Sequence, residues 1–212
     1  EFQLTDAKPD GYGTRFTLKG IFTEYPDIWM PIIGEHQAMN AATAIVAIEA
    51  FLGRSIADEV LRAALADAIT PGRLQVISKD PLVVLDGAHN PAGLESLRAA
   101  LSWHFAAPKS IGLIGMVGDK DIYASAQELA GVFDHLIITT APGSRGMPSS
   151  ELADAFTQQG VAPDEVIGDF WSAYQHALKL GQESDRPVIV SGSLYLVGAI
   201  IEKLQDKDEI EE

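Results

Sequence analysis

From Val83 to Pro91 the chain reads Val-Val-Leu-Asp-Gly-Ala-His-Asn-Pro, so that acid, imidazole and amide crowd a single turn. Asp86 ends a short apolar strand, 82–85, and Asn90-Pro91 has the order of a helix N-cap followed by its first residue. Such a strand-to-helix junction turns backbone N–H groups and the positive end of a helix dipole toward an anionic ligand. A carboxylate there is poorly placed for a core and well placed to accept from a ribose diol. The local alternative is that Asp86 and Asn90 only cap the helix. His36 and Asn40 lie four apart and share a helix face. The Asn40 amide, donor and acceptor together, matches the edge of adenine, unless both residues simply satisfy backbone at a helix start. Arg73, in Pro71-Gly72-Arg73, offers a planar fork for phosphate oxygens or for an interdomain ion pair.

Three further stretches follow strands. Gly115 to Asp121 is glycine-rich but has neither a Walker pattern nor GxGxxG, so Lys120 and Asp121 read as turn and cap. In the loop Ala141 to Gly146, Arg145 serves either solvent or a ligand's phosphate or carboxylate. Ser193, closing Ser191-Gly192-Ser193, is an N-cap, a ligand contact, or both.

The elements that must position these residues alternate. Strands are expected at 74–77, 82–85, 111–116, 135–140, 165–167 and 187–190, with helices at 91–105, 122–133, 150–158, 172–180 and 194–204. That order predicts an α/β fold, a mostly parallel sheet with helices on both faces. Asp86, Gly118, the 141–146 loop and Ser193 then share the carboxyl edge. Ahead of it, residues 1–33 read as a β-meander. A helix follows over 35–52, ended by Gly53, and its apolar middle implies burial on more than one side. Ser55 to Asp58 resembles a capping box opening a helix to about Ala68. Thr70-Pro71-Gly72 marks a boundary that divides the chain into 1–70 and 71–212. Asn40 and Arg73 then lie across a hinge from Asp86, an arrangement suited to a nucleotide held between two domains. The tail 206–212 is acidic, expected to be solvated and in part disordered.

The 212 residues are 47% hydrophobic and 21% charged, enough for a sizeable core. A net charge of −15 argues against nucleic acid as a partner. No run is long enough to span a bilayer, so no membrane partner is expected. The chain has no cysteine, which excludes disulfides and thiolate chemistry and fits a cytoplasmic protein.

Taken in order, His36-Gln37-x-x-Asn40-Ala41, Pro71-Gly72-Arg73-x-Gln75 and Asp86-Gly87-Ala88-His89-Asn90-Pro91 resemble the ADP-forming Mur-type amide ligases. Gly115 to Asp121 and Gly192-Ser193-Leu194-Tyr195 strengthen the likeness. Within these ligases the chain is most similar to the folylpolyglutamate and dihydrofolate synthases, and less so to murein ligases. The resemblance implies that 1–70 is the end of a central ATP-binding domain and 71–212 a Rossmann-like ligase domain. It implies ATP and Mg2+ as cofactors, with the P-loop and the magnesium ligands upstream and no metal ligand in this chain. It also implies L-glutamate and a folate or dihydropteroate as substrates, in a monomer. Asn40 would meet the adenine, Arg73 the phosphates and Asp86 the ribose, with His89 and Ser193 near the phosphates and the incoming glutamate. Such a fragment is expected to be inactive alone. The competing readings are a murein-type ligase and a non-catalytic nucleotide-binding module; a Rossmann dehydrogenase is disfavoured because GxGxxG follows no strand.

Overall fold

The computed structural model describes residues 2–105 and 109–211, which fall into two compact units. The first runs to Pro71 and takes in the end of a later helix from Ala100; the second is the remainder. In the first unit, β1 (Gln3–Asp10), β2 (Gly13–Lys19) and β3 (Glu24–Met30) form an antiparallel meander, followed by α1 (Glu35–Leu52) and α2 (Asp58–Ala66). The period of two in β2 sends Thr14, Phe16 and Leu18 inward and leaves Arg15 and Thr17 half-buried. Phe16, Leu18, Ile28 and Met30 pack with Ala38, Ala42 and Ile45 of α1 and Leu61 of α2. Each large side chain so covered contributes about 1.5–3 kcal/mol. Glu49 is fully buried but satisfied, accepting from the Tyr25 hydroxyl (2.8 Å) and the Ile21 N–H (2.6 Å).

Two expectations fail in this unit. Burial of α1 on more than one side is not found: Ala38, Ala42, Ile45 and Glu49 form one buried stripe, while Phe51 on the opposite side is 89% exposed. A single three-stranded sheet offers one apolar face, and one face covers one helical stripe. The capping box is also absent. Ala57 takes the N-cap position with no side-chain bond, and Asp58, already helical, pairs with Arg62 one turn on at 2.7 Å.

The second unit is a six-stranded sheet. In chain order its elements are β4 (Gln75–Lys79), β5 (Leu82–Leu85), α3 (Pro91–Phe105), β6 (Ile111–Ile114), α4 (Ile122–Glu128), β7 (His135–Ile138), α5 (Ser149–Gln158), β8 (Glu165–Val166), α6 (Phe170–Ser184), β9 (Val188–Ser191) and α7 (Leu194–Glu211). The strand order is β4-β5-β9-β6-β7-β8, all parallel except β4, which pairs antiparallel with β5. Every residue of β6 and β9 is buried, as a sheet covered on both faces requires. Val83, Leu85, Leu113 and Val190 face α6 and α7, through Ala173, Ala177, Leu196 and Ile200. The crossovers from β5 to β6, β7 and β8 run one way along the sheet, and the return from β8 to β9 runs the other way. Right-handed connections therefore put α3, α4 and α5 on one face and α6 on the opposite one.

Helix ends depart from the sequence reading. α4 stops at Glu128 instead of Phe133, because i to i−3 bonds tighten at Leu129 and Ala130 and Gly131 turns left-handed at φ 69°. α7 continues to Glu211, through the tail expected to be partly disordered; no Gly or Pro follows Gly198 to stop it.

At the opposite, amino edge, Glu165 Oε1 lies 2.7 Å from His135 Nε2 and its Oε2 lies 2.8 Å from His176 Nε2, tying β7 and β8 to α6. Burial alone would raise the Glu165 carboxyl, but the two imidazoles beside it outweigh that and hold the group below its usual range. A carboxyl held low stabilises fully above its unfolded pKa, about 4.3, and loses that contribution as pH falls through the folded value. Glu165→Gln is therefore expected to flatten the acid limb of the stability–pH curve while lowering stability at neutral pH. Urea midpoints between pH 3 and 7 measure it, and parallel curves for the two proteins would contradict it.

Candidate functional site

β5 ends at Leu85 and the chain turns at once. The Asp86 N–H donates to the Val190 carbonyl (2.9 Å), carrying the β5–β9 pairing one residue further. Its carboxylate is not offered to solvent. Asp86 is 7% exposed; Oδ1 accepts from the Ala88 N–H and Oδ2 from the Leu74 N–H, each at 2.9 Å. This corrects the expectation of a residue unfit for the core: a buried carboxylate is tolerated because backbone donors meet it. Nor does it cap α3. α3 is capped by Asn90, whose Oδ1 accepts from the Gly93 N–H at 2.8 Å.

The Leu74 bond explains a second feature. Gly72 and Leu74 both have positive φ, 66° and 44°, and Leu74 is a buried branched residue in a region that favours glycine. The Gly87 N–H donates to the Gly72 carbonyl (2.7 Å) and the Gly72 N–H to Gln75 Oε1 (2.9 Å). Three bonds thus hold a strained loop with exposed Arg73 at its crest. Arg73 therefore belongs to the second unit, beside Asp86, and not across a junction from it.

β9 supplies the neighbouring wall. The Ala88 carbonyl accepts from the Gly192 N–H (2.9 Å) and from Ser191 Oγ (3.3 Å), so the turns after β5 and β9 are stitched together. Ser193, 1% exposed, caps α7 by accepting the Tyr195 N–H at 3.1 Å. A Cβ on Gly87 would press on the Leu194 side chain, which would have to swing aside at the start of α7. β5 and β9 are adjacent and parallel, yet α3 and α7 leave on opposite faces. That is a topological switch point, where open α/β sheets hold ligands.

His89 is half-buried, with Nδ1 2.8 Å from the Gly87 carbonyl. A carbonyl only accepts, so Nδ1 carries the proton and Nε2 of the neutral ring is the basic atom. Asn40 belongs to the first unit, exposed on α1, with its Nδ2 donating to Gln37 Oε1 at 3.1 Å. Arg73, Asp86, His89 and Ser193 are thus gathered at one edge of the second unit.

The loops after β6 and β7 complete that edge. Asp121 caps α4, as read, by accepting the Ala124 N–H at 3.0 Å. The Gly118 N–H donates to the Arg145 carbonyl (3.1 Å) and the Met147 N–H to the Met116 carbonyl (2.9 Å), around a bridge between Val117 and Gly146. Arg145 pairs with Asp119 and lies over the Tyr195 ring at 5.9 Å. Sequence reasoning treated these three residues separately; their only signal was that each follows a parallel strand. A cleft of about 490 Å³ opens beside them between α4 and α5, lined by Lys120, Tyr123, Glu151 and Asp154 among others. Among the described residues no three His, Asp or Glu side chains gather as metal ligands.

The Mur ligase glutamate ligase domain family matches residues 72–194. Folylpolyglutamate synthase of Lacticaseibacillus casei is 32% identical over 210 residues, 96% of this chain and 46% of that protein. Mycobacterium tuberculosis folylpolyglutamate synthase, solved with ADP and AMPPCP, superposes with TM-score 0.88 at 30% identity, covering 94% of this chain and 47% of that one. Escherichia coli FolC, solved with DHPP and ADP, gives TM-score 0.80 at 26% identity, covering 98% and 47%. The chain spans about half the length of the curated relatives it matches.

Proposed function

The chain belongs to the Mur ligase family through its glutamate ligase domain, and from that premise we propose that it is the C-terminal part of an ATP-dependent, ADP-forming amide ligase that adds L-glutamate to a folate or dihydropteroate carboxylate. The observation that carries the reading is the stitched pair of turns after β5 and β9, with Arg73, His89 and two helix N-termini at a switch point. Residues 1–70 are the end of the ATP-binding domain. The exposed apolar side of α1, Ile48 and Phe51 foremost, fits a helix covered on both sides in a longer protein.

ATP, when bound, supplies the phosphoryl group that turns the substrate carboxylate into an acyl phosphate open to attack by an amine. This chain's residues suit that ligand: a guanidinium for phosphate, helix N-termini for anionic charge and, for the ribose, the Asp86 carboxylate in the turn after β5, whose oxygens each accept one backbone N–H and keep a further lone pair. Arg73 neutralises phosphate charge, and its fork matches two oxygens at once. Asp86 orients the ribose edge, and Asn40 is assigned to adenine by residue type and motif position. His89 Nε2 accepts the proton that glutamate's ammonium must lose before its nitrogen can attack, the carbonyl of Gly87 holding the ring in the required tautomer. Ser193, fixed as the α7 cap, brings that helix's N–H groups to the phosphate as it leaves. Magnesium ligands belong to the remainder of the longer protein.

The test is glutamate-dependent ADP release by that longer protein, with tetrahydrofolate and dihydropteroate as alternative acceptors. ADP release that needs acceptor and glutamate together supports the reading, and release that ignores glutamate removes it.

A further inference from the structure

We propose that Gln75 is a positioning residue for the ligation: its side-chain carbonyl clamps Gly72 and so sets where the Arg73 guanidinium meets phosphate. The proposal rests on the ligase reading above and gives a task to a residue which that reading does not use. Arg73 sits between two left-handed residues, Gly72 at φ 66° and Leu74 at φ 44°. The angle φ swings a residue's own N–H, so an acceptor bound to that N–H fixes it. The Leu74 N–H donates to Asp86 Oδ2 and the Gly72 N–H to Gln75 Oε1, each at 2.9 Å. Glycine takes many values of φ at little cost, so Gly72 depends on its clamp more than a branched residue would. The bond from the Gly87 N–H to the Gly72 carbonyl (2.7 Å) holds the peptide that follows, on the Arg73 side, and leaves the entry to the loop to Gln75.

The β4–β5 hairpin is built to deliver that clamp. Its ladder pairs Lys79 with Leu82, Ser78 with Val83, Val76 with Val84 and Gln75 with Leu85, so Ile77 is an extra residue on β4. Opposite residues share a face, and Leu85 belongs to the core against α6 and α7. Gly72 lies on the same side: a Cβ there would come within 2.9 Å of a Val197 methyl of α7. Without the bulge at Ile77, Val76 would stand opposite Leu85, and Gln75 would turn to the other face of the sheet.

Gly72 is buried while Arg73 is exposed. The fold therefore aims the guanidinium through the backbone beneath it. A buried N–H stripped of its acceptor turns toward water, and the crest turns with it. A donor to a moving phosphoryl group works through preorganised placement, which a shift of about 1 Å is enough to spoil.

The experiment is a double-mutant cycle in the longer protein, read as glutamate-dependent ADP release at saturating substrates. Its members are Gln75→Met, of similar length but without the acceptor, Arg73→Ala and the two combined, with Gln75→Glu as the variant that keeps an acceptor oxygen. Melting points are taken alongside, and turnover is compared below the lowest of them. Gln75→Met is expected to lower kcat roughly 10- to 100-fold, with the glutamate KM unchanged, and Gln75→Glu to recover most of the loss. In the Arg73→Ala background the same Gln75→Met change is expected to cost less than about 2-fold, because the group it positions is gone. An equal factor in both backgrounds overturns the proposal and makes Gln75 a structural residue, while the ligase reading stands. Wild-type turnover in Gln75→Met overturns it as well. Absence of glutamate-dependent ADP release from the wild type overturns this proposal together with the reading beneath it.

Discussion

Asp86→Asn is expected to melt the second unit roughly 5–15 °C below the wild type before any ligand is added. Each carboxylate oxygen accepts a backbone N–H, one from Leu74 and one from Ala88, in a site 7% exposed. An amide can accept with one of its two atoms only. Whichever way it turns, its NH2 meets one of those N–H groups head on and leaves a buried donor without an acceptor. A lost bond to a charged acceptor plus a stranded donor costs about 2–4 kcal/mol, and in a chain of this size each kcal/mol moves the midpoint by roughly 2–4 °C. The strained loop adds to the effect: Leu74 at φ 44° is kept left-handed by the bond that disappears, so Arg73 loses its fixed crest as well. Thermal unfolding followed by circular dichroism checks this, with Asp86→Ala as the harsher companion. A midpoint within a degree of wild type would mean that the carboxylate does not clamp the turn. Weaker nucleotide binding by Asp86→Asn would then belong to the ribose contact alone.

That double duty shows where sequence stops being legible. Asn90-Pro91 was readable as a cap because capping is a matter of neighbours in the chain, and Asn90 accepts the Gly93 N–H in that role. α1 was readable to both ends for the same reason: Gly53, left-handed at φ 65°, closes its last turn. Asp86 was not, because its partner Leu74 lies twelve residues back on a loop whose left-handed backbone no residue type advertises. The alternation of strands and helices foretold a parallel sheet and put four loops on its carboxyl edge. It could not foretell that β9, last in the chain, slots between β5 and β6. That insertion alone brings Ser193 beside Ala88 and Tyr195 toward Arg145, so the pairing of loops, and hence the site, is a product of topology. The outer side of α1 fails for a related reason: apolarity records what a helix packs against in the whole protein, and here one stripe has its partner while Phe51 does not.

Arg73→Ala is the converse case, and in the longer protein it is expected to lower glutamate-dependent ADP release by about 100-fold or more while leaving the melting point of this chain unchanged. The residue is exposed, and the loop beneath it is held by the backbone of Gly72 and Leu74, not by the guanidinium. Substitutions at such surface positions usually stay within about 0.5 kcal/mol. Its proposed work is done elsewhere, on charge that spreads over phosphate oxygens as the phosphoryl group moves. Removing one preorganised donor of that kind typically costs 100- to 1000-fold, or roughly 3–4 kcal/mol of barrier. Arg73→Lys keeps the charge but loses the two-pronged geometry, so it should recover only part of the rate. Measured together, the two variants separate fold from function at adjacent positions: Asp86→Asn moves stability first, Arg73→Ala moves turnover only. A thermally silent Arg73→Ala that also turns over normally would detach Arg73 from the phosphates, and the strained crest at Gly72 to Leu74 would then have no function in this reaction.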